Sequence, residues 1–206
     1  LIHMLLIARV PWIDQFYGHD NATQAHKKLG KPVLYFIVAH FLASLIQFSI
    51  TNGKDVITTL GWFITDVQDM LLATIGLFLM IVVVVTSLNF ARRKMSYEAW
   101  FFVHLTSYVS VAVAVPHMFS TGSDIAGKPV QTTIWVALYL FVYGNLVWFR
   151  VVVPIRKSFR KQLVLAQSVR ESSDSTSLYL TGKHLQKVEA LPGQFYFLRV
   201  MTPTQW

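Results

Sequence analysis

Runs of about twenty apolar residues, repeated in series, decide most of what this chain can fold into. Residues 32–50 hold 19 positions without a charge, residues 70–90 hold 21, and residues 99–119 hold 21 that include two histidines. Residues 134–149 form a fourth run, which resumes after Arg150 and reaches Ile155, and residues 1–13 form a shorter fifth. A helix of about 20 apolar residues crosses the roughly 30 Å hydrocarbon core of a bilayer. Lipid offers no partner to a free backbone N–H or C=O, so each such segment closes its hydrogen bonds within itself, as a helix. A soluble core helix would account for any one run, but not for four in a row. The expected fold is an all-α membrane helical bundle over residues 1–155. It has four full helices and a partial one that reads as the end of a longer helix.

The charges agree with a membrane setting. Only 14% of the 206 residues are charged, against about 25% in soluble domains. The net charge of +8 does not form a basic stripe interleaved with aromatics, so the lipid bilayer is the expected partner and nucleic acid is not. The cations gather between segments instead. Arg9, Lys27, Lys28 and Lys31 flank the first connection, Arg92, Arg93 and Lys94 fill the third, and Arg156, Lys157, Arg160 and Lys161 follow the last helix. The other connections carry Lys54 and Lys128 with Asp55, Asp66, Asp69 and Asp124. This alternation places the basic side in the cytoplasm. The chain has no cysteine, which excludes disulfides, thiolate-bound haem and cysteine-held iron–sulfur clusters.

The character changes at about residue 156. Residues 163–169, 177–181 and 194–200 are short β-branched or aromatic runs, separated by the polar stretch 171–176 and by Leu191-Pro192-Gly193. That pattern predicts the first strands of a small cytoplasmic β-domain over residues 156–206.

Four histidines form two pairs in these otherwise apolar surroundings: His26 with His40, 14 residues apart, and His104 with His117, 13 apart. An ionisable side chain inside a membrane is expensive and reads as functional by default. At about 1.5 Å of rise per residue, 14 residues span roughly 21 Å of helix axis. Both helices run outward, so His26 and His104 share the inner level and His40 and His117 the outer. Haem iron accepts a neutral imidazole on each face, and two matched levels predict two bis-histidine b-type haems. Around a 3.6-residue helix His26 and His40 lie about 40° apart, on one face, whereas His104 and His117 lie roughly 140° apart. Pro116 interrupts the helix just before His117, and a kink there is expected to turn His117 back toward the seam. A zinc site would need ligands converging within a few ångströms, which the separation along each helix forbids. A solitary membrane histidine often only hydrogen-bonds across helices, but four at matched depth argue for ligation. Arg9, Arg92 and Arg93 stand at the inner end, as topology-setting charges and as candidate partners for haem propionates. His19 and His184 read as solvated, His3 is undecided, and Met70 and Met80 read as packing.

These residues resemble the ferric reductase and NADPH oxidase family of transmembrane flavocytochromes. His26-Lys27-Lys28-Leu29-Gly30, followed by His40, is similar to that family's H-x-x-L-G…H helix. Tyr97-Glu98-Ala99-Trp100-Phe101-Phe102-Val103-His104, with Pro116-His117-Met118-Phe119 and Gly122, resembles its second haem helix. Leu191-Pro192-Gly193-Gln194-Phe195-Tyr196-Phe197 resembles the P-G-Q-F strand that opens the family's flavin-binding β-barrel. The resemblance implies a six-helix bundle whose first helix lies upstream, followed by the first strands of a β-barrel FAD-binding domain. It also implies a plasma-membrane enzyme in which cytoplasmic NAD(P)H reduces FAD. Electrons then pass by the inner haem at His26 and His104 and the outer haem at His40 and His117 to dioxygen, giving superoxide, or to a ferric chelate. The family's flavin motif and its glycine-rich nicotinamide module are expected beyond Trp206, so no flavin contact is assigned.

Two other readings compete. A haem-only quinol-linked cytochrome would need no flavin barrel, and the β-like tail argues against it. A proton channel would use the histidines as a relay, but Val33-Leu34-Tyr35-Phe36-Ile37-Val38-Ala39 between the two levels favours a packed apolar seam.

Overall fold

The apolar runs fold as the bilayer argument requires. The computed structural model describes residues 1–183 and 185. Four helical segments among them are long and apolar enough to cross a membrane: His19–Asn52, Met70–Ser87, Tyr97–Ser120 and Pro129–Lys161. Their large apolar side chains remain mostly exposed, Phe36 by 76% and Leu140 by 70%, as helices that meet lipid on their outer faces require. The chain divides into two compact units, Leu1–Phe149 and the residues from Arg150 on.

The first unit begins with a break that the sequence did not announce. Residues 1–13 do not continue as one helix: α1 (Ile2–Leu5) and α2 (Pro11–Phe16) are separate. Arg9 takes a left-handed backbone (φ 57°), and Pro11 opens α2 at a position where its missing N–H costs nothing. The two short helices bury Met4, Ala8, Val10 and Ile13 against Ala22, Val142 and Leu146, so the amino-terminal segment packs on the start of the helix His19–Asn52 and the end of the helix Pro129–Val147.

Helix α3 (His19–Asn52) has 34 residues and is about 51 Å long, more than a bilayer core of about 30 Å needs. Its uncharged part begins at Pro32. The 13 residues before it, His19 to Lys31, carry Lys27, Lys28 and Lys31. His26 therefore sits at the basic end of α3, about 9 Å of helix rise before the apolar part, rather than within it. Gly53 ends the helix in a left-handed conformation (φ 59°) that glycine adopts without a Cβ penalty.

The connection after α3, expected as a loop, contains α4 (Val56–Thr65). Asp55 caps it by accepting from the N–H groups of Ile57 and Thr58, both at 3.0 Å. The Thr58 hydroxyl and N–H bonds hold the Asp55 carboxyl below the usual carboxylate range. Phe63 of α4 is 2% exposed and meets Phe48 of α3 edge to face at 5.3 Å, which folds this short helix back onto the bundle.

Helix α5 (Met70–Ser87) is followed by the short α6 (Asn89–Arg92) and then by α7 (Tyr97–Ser120), capped by Ser96, whose hydroxyl accepts from Ala99 N–H. The α5–α7 seam is the closest helix pairing in the unit. Ser110 of α7 donates to the Gly76 carbonyl oxygen of α5 at 2.6 Å. Small residues let two membrane helices approach this closely. Helix α8 (Pro129–Val147) is followed by a π-helical turn at Trp148–Val152.

The second unit contains α9 (Val153–Lys161) and an antiparallel hairpin of β1 (Val164–Arg170) and β2 (Thr176–Thr181). The strands expected at 163–169 and 177–181 are thus present, the first shifted by one residue along the chain and the second starting one residue earlier. The turn is built by Ser172, whose hydroxyl accepts from the N–H groups of Asp174 and Ser175. The strand expected at 194–200, and with it the Pro192-Gly193-Gln194-Phe195 motif and His184, lies outside the described residues. The sheet among the described residues is two-stranded and is not a barrel.

Candidate functional site

Each histidine pair rides on one helix, as the spacing predicts: His26 and His40 on α3, His104 and His117 on α7. Both helices run unbroken through their internal prolines, Pro32 and Pro116. Because neither helix stops, the two members of a pair keep a fixed axial separation, and ligands on α3 and α7 can meet at more than one depth.

The inner histidines come together. The rings of His26 and His104 lie with centroids 6.0 Å apart and planes at 70°. A metal held between two imidazoles by bonds of about 2 Å separates their ring centroids by roughly 6 Å. The hydrogen bonds fix the chemistry of each ring. His26 Nδ1 lies 2.9 Å from the main-chain oxygen of His3. A carbonyl only accepts, so Nδ1 carries the proton and the ring's lone pair lies on Nε2. His104 Nδ1 lies 3.2 Å from the Ser87 hydroxyl. The donor set thus fits a haem iron, which His26 and His104 would hold through imidazole nitrogen.

His3 enters this site as a side chain that the sequence left undecided. Its ring stacks on His26 at 3.8 Å with planes 7° apart. Its Nε2–H donates to the His26 main-chain oxygen at 2.8 Å, so the two residues clasp each other reciprocally. This ties the start of α1 to α3 and explains why the amino-terminal segment packs there.

On the other side, Trp100 lies one turn before His104 and stacks on its ring, with centroids 4.9 Å apart and planes at 26°. The Arg92 guanidinium sits 4.8 Å from the Trp100 ring and 5.8 Å from Tyr97, and it donates to the Met95 carbonyl at 3.3 Å. Arg92 is therefore built into the wall around His104. Arg93 and Arg9 are exposed, Arg93 beside Arg92 and Arg9 at the break between α1 and α2.

The outer histidines are placed differently. His117 donates from Nδ1 to the Ala114 carbonyl within its own helix, which leaves its lone pair on Nε2 as well. His40 is exposed on α3. Among the described residues the ring contacts join the inner pair and include neither His40 nor His117. No group of three or more His, Cys, Asp or Glu side chains among the described residues is arranged to hold a metal ion.

Ser87, Trp100 and the His3 backbone were missed in the sequence. Trp100 was detectable as the residue four before His104, on the same helical face. Ser87 and His3 were not, because each reaches its histidine from another helix.

A family model described as the ferric reductase like transmembrane component matches residues 1–115. The match takes in His26, His40 and His104 and stops two residues before His117. No curated protein and no solved structure matches the chain.

Proposed function

The chain belongs to the family of the ferric reductase like transmembrane component, and on that premise we propose that it is the membrane-crossing part of an oxidoreductase that passes electrons from cytoplasmic NAD(P)H and FAD to an acceptor on the opposite face. His26 and His104 would hold an inner b-type haem, and His40 and His117 an outer one. Haem would supply the one-electron redox chemistry. The chain's own part is to orient four imidazoles, to keep water from between the two levels with the apolar stretch of α3 from Val33 to Ala39, and to seat the bundle in lipid.

The observation that carries this reading is the approach of His26 and His104 at ligand-pair distance, with the His26 proton fixed on Nδ1. The location of His26 at the basic end of α3 supports an electron entry point near the cytoplasmic face. The acceptor, dioxygen or a ferric chelate, is assigned to the surface beyond His40 and His117, where α4 would contribute Trp62 with Lys54 over its ring at 5.5 Å. The hairpin of β1 and β2 after α9 supports a cytoplasmic β-domain of the kind that carries FAD.

The test is directional. Haem-loaded protein is placed in sealed vesicles, with a reductant confined to the face of the basic loops and a membrane-impermeant ferric chelate on the other. Reduction of the chelate that is lost in His26→Leu and in His40→Leu is the expected result. Transfer unaffected by both substitutions would reject the reading.

A further inference from the structure

Ser87 closes α5, and its single hydroxyl is engaged by three groups. It lies 2.7 Å from the Val83 carbonyl oxygen, 3.3 Å from Trp100 Nε1 and 3.2 Å from His104 Nδ1. A hydroxyl has one proton and two lone pairs. Val83 offers only an acceptor, and its 2.7 Å separation is the ordinary length of an O–H···O bond, so the proton goes there. The indole N–H can only donate and takes one lone pair. The remaining lone pair faces His104, whose Nδ1 must then be the donor. We propose that Ser87 is a positioning residue for His104: its hydroxyl, held in place by Val83 and Trp100, fixes the imidazole with its proton on Nδ1 and its lone pair on Nε2.

A ligating histidine is oriented and made more basic by the group that accepts its other N–H. At His26 that acceptor is the main-chain oxygen of His3, which no side-chain substitution removes. At His104 it is the side chain of Ser87. Trp100 shares the hydroxyl and lies flat against the imidazole, with Arg92 near its ring, so the His104 ring is held by a hydrogen bond at its edge and by a stack along its face. The inner pair thus has one partner set by the backbone and one set by a side chain, and only the second is open to tuning by substitution.

The proposal rests on the reading of His104 as a haem ligand, and the experiment separates the two. Haem-loaded wild-type protein, Ser87→Ala and Ser87→Thr are compared for haem loss to a haem-scavenging globin and for the midpoint potentials of the two centres. Loss of the acceptor in Ser87→Ala should weaken haem retention at one centre by about 10- to 100-fold and raise the potential of that centre alone, because a less basic ligand stabilises ferric iron less. Ser87→Thr keeps the hydroxyl and should restore both. Wild-type protein that binds no haem would defeat the parent reading and this one with it. Haem-loaded Ser87→Ala that matches wild type in retention and potentials would defeat this one alone. So would Ser87→Thr that fails as badly as Ser87→Ala.

Discussion

Replacing Gly76 by alanine should loosen the bundle at its tightest seam. A Cβ at this position would lie 2.8 Å from the main-chain oxygen of Ser110, 3.2 Å from Ala114 Cβ and 3.4 Å from Val113 Cγ2. The first of these is too short for a carbon beside a backbone oxygen, so α5 and α7 must separate. Forcing extra volume into a packed site costs about 1–3 kcal/mol. The separation also stretches the Ser110 hydroxyl bond to the Gly76 carbonyl, now 2.6 Å, and interhelical hydrogen bonds in membranes contribute about 0.6 kcal/mol on average. Alanine returns roughly 0.5–1 kcal/mol of helix propensity. The net is about 1–2 kcal/mol of destabilisation, a factor of roughly 5–30 in the unfolding equilibrium. Gly144 of α8 is the control, since a Cβ there meets nothing within 4 Å, and Gly144→Ala should match or exceed wild type. The assay is helicity followed through a denaturing-detergent titration in mixed micelles. Gly76→Ala as stable as Gly144→Ala would refute the close-approach reasoning.

Three shorter predictions follow from the same geometry. His40→Leu should remove about half of the bound haem and leave the absorption of the inner centre intact; equal loss at both centres, read by a redox titration, would count against the two-level assignment. His3→Ala should keep haem while costing about 1 kcal/mol of stability through its lost bond to the His26 carbonyl. Haem lost in proportion to that substitution would instead make His3 a ligand. The Asp55 carboxyl has its pKa lowered by Thr58, so its contribution to the start of α4 is present above the unfolded carboxylate pKa and fades as pH falls through the lower folded value. Backbone hydrogen exchange at Ile57 and Thr58 should accordingly rise in acid, and Asp55→Asn should blunt that rise; exchange independent of pH beyond its chemical trend would remove the cap from the account.

The spanning helices were legible in the sequence because lipid allows a long apolar run only one hydrogen-bonded form. A helix also converts spacing into depth, and among the described residues the rings of His26 and His104 approach each other while His40 and His117 share no ring contact. Less local features were not legible. The break between α1 and α2 depends on Arg9 adopting a left-handed backbone, which arginine does not advertise. Helix α4 was hidden because its threonines and Gly61 blur the periodicity, although Asp55 three residues before Thr58 is a usable cap signal. The partners of the inner histidines were the least visible. Ser87 stands 17 residues before His104 across a basic connection, and His3 stands 23 before His26. Such pairings are made only when helices dock. The stretch Pro192-Gly193-Gln194-Phe195 lies outside the described residues, so the flavin-binding expectation stands on its sequence motif.

The central claim is that imidazoles from α3 and α7 ligate iron at two depths of one bundle. Its most direct test is haem stoichiometry: the protein is saturated with haem, freed of excess, and assayed for haem and protein together with its reduced and oxidised absorption spectra. Two haems per chain with a six-coordinate b-type spectrum is the predicted result. A protein that retains no haem, or that holds it with iron open on one face, would contradict it.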